Sequence, residues 1–128
     1  MSTGTWEPDA PSTAANLDRE LLDRLAAYAT PEQLQQLEQL LEPELATVMG
    51  IDHPTWTAAI EALDSEQLVQ LIRVLTVAEK LPGWEAAEKS PVIALAKSLR
   101  KRGEKLDREL LLWIRENSEN RYLPYGPL

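Results

Sequence analysis

Apolar residues recur at helical spacing from Leu17 to Asn117, and each stripe opens on a capping residue or a proline. Leu17-Asp18-Arg19-Glu20-Leu21-Leu22 places Asp18 as an N-cap, with Leu17 and Leu22 spaced as a hydrophobic staple, and predicts a helix to about Ala29. Thr30-Pro31-Glu32-Gln33 restarts the pattern with a cap, a proline at the first helical position and Gln at the third. Leu34, Leu37, Leu40 and Leu41 supply its buried stripe. Pro43 ends it, leaving Glu44 to Met49 for one or two further turns before Gly50. Asp52 or His53 caps the next helix, which begins at Pro54 and carries Trp56, Ala59, Ile60 and Leu63. Asp64-Ser65-Glu66-Gln67 repeats the cap followed by Gln, and Leu68, Leu71, Ile72, Leu75 and Ala78 continue the stripe to about Lys80. Leu81-Pro82-Gly83-Trp84 is turn chemistry, Glu85 to Lys89 fits a single turn, and Ser90-Pro91 opens a helix to Arg102. Gly103 keeps the register of Leu99 and Leu106. Leu106-Asp107-Arg108-Glu109-Leu110-Leu111 nevertheless repeats the segment at Leu17 letter for letter, which predicts a break near Gly103 and a last helix to Asn117.

The expectation is an all-α fold of five or six short antiparallel helices in tandem hairpins, at about 17–49, 51–80 and 91–117, inside one domain spanning 16–120. Residues 1–15, rich in Ser, Thr, Pro and Ala, read as a disordered leader in which Trp6 is the one aromatic residue. Residues 121–128, with two prolines and a glycine, read as an extended tail. The longest apolar runs, Val92 to Ala96 and Leu110 to Ile114, are far short of the roughly 20 residues that span a bilayer. Nor does the N-terminus resemble a secretory signal, so the expectation is a cytoplasmic protein with no membrane contact.

Shifting the chain by 34 residues aligns Leu17 to Leu41 with Ile51 to Leu75. Asp18 then meets Asp52, Thr30 meets Asp64, and Glu32-Gln33-Leu34 meets Glu66-Gln67-Leu68. The period resembles that of tetratricopeptide repeats, but the small and aromatic signature positions of that family are not found, so the likeness is one of period alone. A repeated hairpin cannot bury its stripe alone and implies stacking on a neighbour.

Composition removes several classes of chemistry. Among 128 residues there is no Cys and one His, which excludes disulfides, thiolate metal sites, a cysteine nucleophile and any site built from two imidazoles. The formal charge of −8 is unevenly spread. Residues 1–89 hold five Lys or Arg against sixteen Asp or Glu, a balance of −11, whereas 90–128 hold eight against five, a balance of +3. Lys97, Arg100, Lys101, Arg102, Lys105 and Arg108 fall opposite the stripe of Leu95, Leu99 and Leu106. Such a patch suits an acidic protein surface or, as the alternative, the phosphates of a nucleic acid; cations near the end of a helix can also simply offset its dipole.

The catalytic signals are thin. His53, between Asp52 and Thr55, is the one candidate general base, but residues so close together at a helix start normally cap it. Carboxylate pairs such as Glu38 with Glu42 and Glu85 with Glu88 have no Glu-x-x-His partner for a di-metal site. No metal or cofactor is expected. Trp56 and Trp113 sit on leucine stripes and read as core, whereas Trp84, Tyr122 and Tyr125 lie on non-helical segments that either pin to the domain or contact a partner. The leading expectation is a non-catalytic interaction or regulatory module that binds protein through a helical groove or its charge asymmetry. Its partner-binding candidates are Lys97, Arg100, Lys101, Lys105, Arg108, Trp84, Tyr122 and Tyr125. A small enzyme using His53 is the third possibility.

Overall fold

A computed structural model describes residues 17–104, 106–118 and 120. The leader with Trp6, the tail 121–128 with Tyr122 and Tyr125, and Lys105 lie outside the described residues.

The described residues are helical, with no strand among them. Seven α-helices run in the order α1 (Arg19–Ala27), α2 (Pro31–Gln35), α3 (Leu37–Leu40), α4 (His53–Ile60), α5 (Ser65–Ala78), α6 (Pro91–Lys101) and α7 (Arg108–Asn117). Short 3-10 segments occupy Pro43–Gly50 and Ala87–Lys89. The count exceeds the expected five or six because the stretch from Pro31 to Leu41 is not one helix. Gln36 leaves helical geometry at φ −110° and ψ 14° and divides it into α2 and α3. Leu37 and Leu41 are buried while Leu34 and Leu40 stay half-exposed, so the kink favours the leucines of the segment that packs on α5.

The starts follow from local chemistry. The carboxylate of Asp18 accepts from the Leu21 N–H at 2.8 Å, that of Asp52 from Thr55 at 3.1 Å, and that of Asp107 from Leu110 at 2.7 Å. Asp64 and Gln67 form a reciprocal capping box, and Thr30 and Ser90 cap α2 and α6. Where sequence left Asp52 and His53 as alternative caps, Asp52 is the cap and His53 the first helical residue. At the other end of α6 the break falls at Gly103, whose φ of +81° is cheap only for glycine. Gly103 N–H bonds the Arg100 carbonyl and Glu104 N–H the Leu99 carbonyl, both at 3.0 Å, which closes α6 in a Schellman motif.

Helix α5 is the axis of the core. Leu68, Leu71, Ile72, Val74, Leu75 and Ala78 are fully buried, covering most of its circumference, as expected of a helix surrounded by others. It packs against α1, α3, α6 and α7, and α6 packs in turn against α4. The principal pairings, α5 with α6, α4 with α6 and α1 with α5, therefore run between the expected hairpins rather than within them. Trp56 on α4 is fully buried and donates its indole N–H to the Val48 carbonyl at 3.1 Å, tying the Pro43–Gly50 segment to α4. Trp113 on α7 is half-buried, and the Arg73 guanidinium stands 5.0 Å from its ring centroid.

Candidate interaction surface

The helical repeat of α6 sorts its residues into two faces. Val92, Leu95, Ala96 and Leu99 are buried against α4 and α5. Lys97, Arg100 and Lys101, spaced i, i+3, i+4, project from the other side and are exposed. The side chains of these three and of Arg108, exposed at the first position of α7, make no hydrogen bond or ion pair among the described residues.

Arg102 differs from its neighbours. Its guanidinium donates to the Ile60 carbonyl at 3.2 Å, the Glu61 carbonyl at 3.5 Å and the Ser65 hydroxyl at 3.4 Å, and the same hydroxyl donates to the Glu104 carboxylate. A cation thus sits on the last carbonyls of α4, where the helix dipole is negative and the carbonyls lack intrahelical partners. Sequence grouped Arg102 with the other basic residues. The structure assigns it to the fold.

Trp84 is corrected as a partner-binding candidate. It is 3% exposed and belongs to the hydrophobic core, so its indole pins the turn after α5 and offers no surface to a partner. Gly83, with φ +87°, is the turn residue that allows this return.

At the opposite end of α6 lies a polar knot that sequence reading missed. Glu79, just past α5, is buried among apolar neighbours. Its carboxylate accepts from the Ser90 hydroxyl and from the Asn120 side-chain amide, the latter at 2.8 Å. The same Asn120 amide donates to the Ala87 carbonyl at 2.9 Å, and Ser90 also caps α6. Burial pushes the Glu79 carboxyl above its ordinary value, against the opposing pull of the bonds from Ser90, Asn120 and the Ala86 N–H. A signal was present in sequence: Glu79 continues the stripe of Ile72 and Leu75, where an acidic residue requires buried partners.

His53 faces this knot. It is half-buried, with its Nε2 3.1 Å from the Ser90 carbonyl. Asp52 is engaged elsewhere: the hydroxyl and backbone N–H of Thr55 hold its carboxyl below its ordinary value, and His53 adds to the effect. Residues 50–54 with Glu88 and Lys89 line an open cleft of about 340 Å³. Of the carboxylate pairs, Glu42 meets Arg24 at 3.1 Å and Glu85 accepts from the Gly83 N–H at 3.2 Å. No group of three potential metal ligands comes together among the described residues, and no helix among them is long and apolar enough to cross a membrane. No protein-family model, curated protein or solved structure matches this chain.

Proposed function

We propose that this protein is a non-catalytic interaction module that engages an acidic protein surface through Lys97, Arg100 and Lys101 on α6. One observation carries the reading: three exposed cations share a helix face and have no partner among the described residues, while Arg102 beside them is engaged in the fold. Charges left unpaired on a rigid helix are preorganised for a ligand of opposite sign, and they act mainly on association rate and specificity. Arg108 extends the same basic chemistry to α7. The acidic balance of 1–89 against the basic balance of 90–128 supports a partner that reads charge sign. A protein is favoured over a nucleic acid because single-strand recognition needs exposed aromatic platforms, and Trp56 and Trp84 are buried. The non-catalytic part rests on the surroundings of His53, where Asp52 is engaged with Thr55 and the imidazole with the Ser90 carbonyl.

The 34-residue correspondence belongs to the same proposal. Asp18 and Asp52, and likewise Thr30 and Asp64, make equivalent capping bonds, which supports reading 17–41 and 51–75 as two copies of one hairpin unit. The test is affinity capture from the native cell with the wild type and with Lys97→Glu, Arg100→Glu, Lys101→Glu combined. Loss of a protein partner with an unchanged helical spectrum is expected. Undiminished capture overturns the reading, and low-salt binding to unrelated DNA or RNA strands replaces the protein partner with a nucleic acid.

A further inference from the structure

Glu79 is a buried carboxylate supplied with donors but with no cation. It accepts from the Ala86 N–H, from the Ser90 hydroxyl and, at 2.8 Å, from the Asn120 amide, so the end of α5, the connection to α6 and Asn120 past α7 meet on one titratable group. Glu79 is also the C-cap of α5, where the helix dipole is itself negative. Among the described residues the elements packed on α5 bring no counter-charge. Arg19 and Arg24 of α1 pair with Asp23 and Glu42, α3 carries only Glu38, and Pro91 to Ala96 of α6 are uncharged. Arg108, Glu109, Arg115 and Glu116 of α7 are exposed, as are Lys80, Glu85, Glu88 and Lys89 of the connection. Arg73 of α5 lies over Trp113, and His53 of α4 meets the Ser90 carbonyl rather than the carboxylate. With no cation to offset it, the burial outweighs the hydrogen bonds and lifts the carboxyl above its ordinary value.

The connection that this group holds is strained. Ala87, whose carbonyl accepts from the same Asn120 amide at 2.9 Å, sits at φ +48°, in the left-handed region that a residue with a Cβ adopts only when its surroundings hold it there. We propose that Glu79 is a proton-operated clasp: neutral, it holds the 85–90 connection against the end of α5 and Asn120, and ionised, it favours a locally opened connection in which the carboxylate reaches water. The closed form survives protonation, because a neutral carboxyl keeps the Asn120 bond on its carbonyl oxygen and donates its own proton to the Ser90 hydroxyl oxygen. On ionisation that proton leaves to solvent, and opening relieves both the desolvated charge and the strain at Ala87. Glu88 and Lys89 line the cleft beside His53, so the clasp also decides whether that wall is in place.

Native-state hydrogen exchange on the full chain, corrected for the intrinsic chemical rate, tests this. The amides of Ala86, Lys89 and Ser90, bonded to Glu79, Ala86 and Ala87, report the clasp, and those of Leu71 and Ile72 inside α5 report global opening. A closed form that holds its proton more tightly than the open one makes opening more frequent as pH rises. The opening equilibrium at 86, 89 and 90 should therefore climb by up to about tenfold per pH unit while Glu79 ionises, then level off, without a matching change at 71 and 72. In Glu79→Gln, and in Glu79→Met as a second uncharged variant, the profile should be flat. Three results overturn the proposal. The first is a wild-type profile that is flat or falls with pH. The second is the same rise in both uncharged variants. The third is exchange at 86, 89 and 90 as slow as at 71 and 72 throughout, which shows that the connection opens only when the whole fold does.

Discussion

Arg102→Met and Arg100→Met remove the same charge and nearly the same side chain from neighbouring positions at the end of α6, yet only Arg102 has partners in the fold. Its bonds to the Ile60 and Glu61 carbonyls and the Ser65 hydroxyl measure 3.2, 3.5 and 3.4 Å. A single hydrogen bond to a charged group contributes about 1.5 to 3 kcal/mol when well formed and desolvated. Two of these are long and the arginine is exposed, so most of that gain is screened. The helix-terminal position adds about 0.3 to 1 kcal/mol. Arg102→Met should therefore destabilise by about 1 to 2 kcal/mol, whereas Arg100→Met should stay within about 0.5 kcal/mol of wild type, as surface substitutions usually do. Urea denaturation followed by far-ultraviolet circular dichroism measures both, and equal m-values show that the denatured states are comparable. In a partner-binding assay the order reverses, with Arg100→Met the more damaging. Equal stability losses for the two variants refute the division of the basic residues into structural and available ones.

Thr76→Val should stabilise the fold by about 1 kcal/mol, because Thr76 is fully buried on α5 and its hydroxyl has no hydrogen-bond partner among the described residues. A lower melting temperature for the variant contradicts this. Glu79→Gln tests the polar knot by pH. Because burial raises the Glu79 pKa in the folded state, its contribution is greatest below the unfolded pKa and is lost as pH rises through the folded one. The stability of Glu79→Gln relative to wild type should thus increase from acid toward neutral pH, while the other carboxylates cancel in the comparison; a difference that falls with pH shows the opposite shift. Trp56→Phe should cost about 2 to 3 kcal/mol, combining a small cavity with the loss of the indole bond to the Val48 carbonyl, which keeps only the longer bond from the Ile51 N–H. Trp84→Phe is expected to lose only the cavity contribution, about 1 kcal/mol. Equal losses in denaturant midpoints show that the indole bond contributes nothing.

The helix starts were legible in sequence because a cap is a local device. Asp18, Thr30, Asp52, Asp64, Ser90 and Asp107 each bond an N–H two or three residues ahead. The break near Gly103 was legible through the repeated cap segment Leu106 to Leu111, since Gly103 itself keeps the helical register in sequence, and the left-handed turn it permits closes the helix within six residues. What sequence left hidden depends on contacts between distant segments. The kink at Gln36 has no Gly or Pro to mark it and serves the packing of α3 on α5. The role of Arg102 depends on the end of α6 meeting the end of α4, more than forty residues earlier. Trp84 reads as either a pin or a partner contact while its turn is taken alone, and its membership of the core shows only in the folded chain. Lys97, Arg100 and Lys101 were legible as a cluster, but their freedom from internal partners became visible only with the acidic helices in place.

Whether the basic face of α6 meets an acidic protein surface, as proposed, can be read directly by cross-linking. Since the chain has no native cysteine, photo-cross-linkers can be placed singly at Lys101→Cys on that face and at Gln35→Cys on α2 and compared in native cell extract. A protein adduct is expected from position 101 that maps to an acidic segment of the partner and fades as salt rises, with none from position 35. Adducts from position 35 alone, or an adduct from 101 that is indifferent to salt, contradict it.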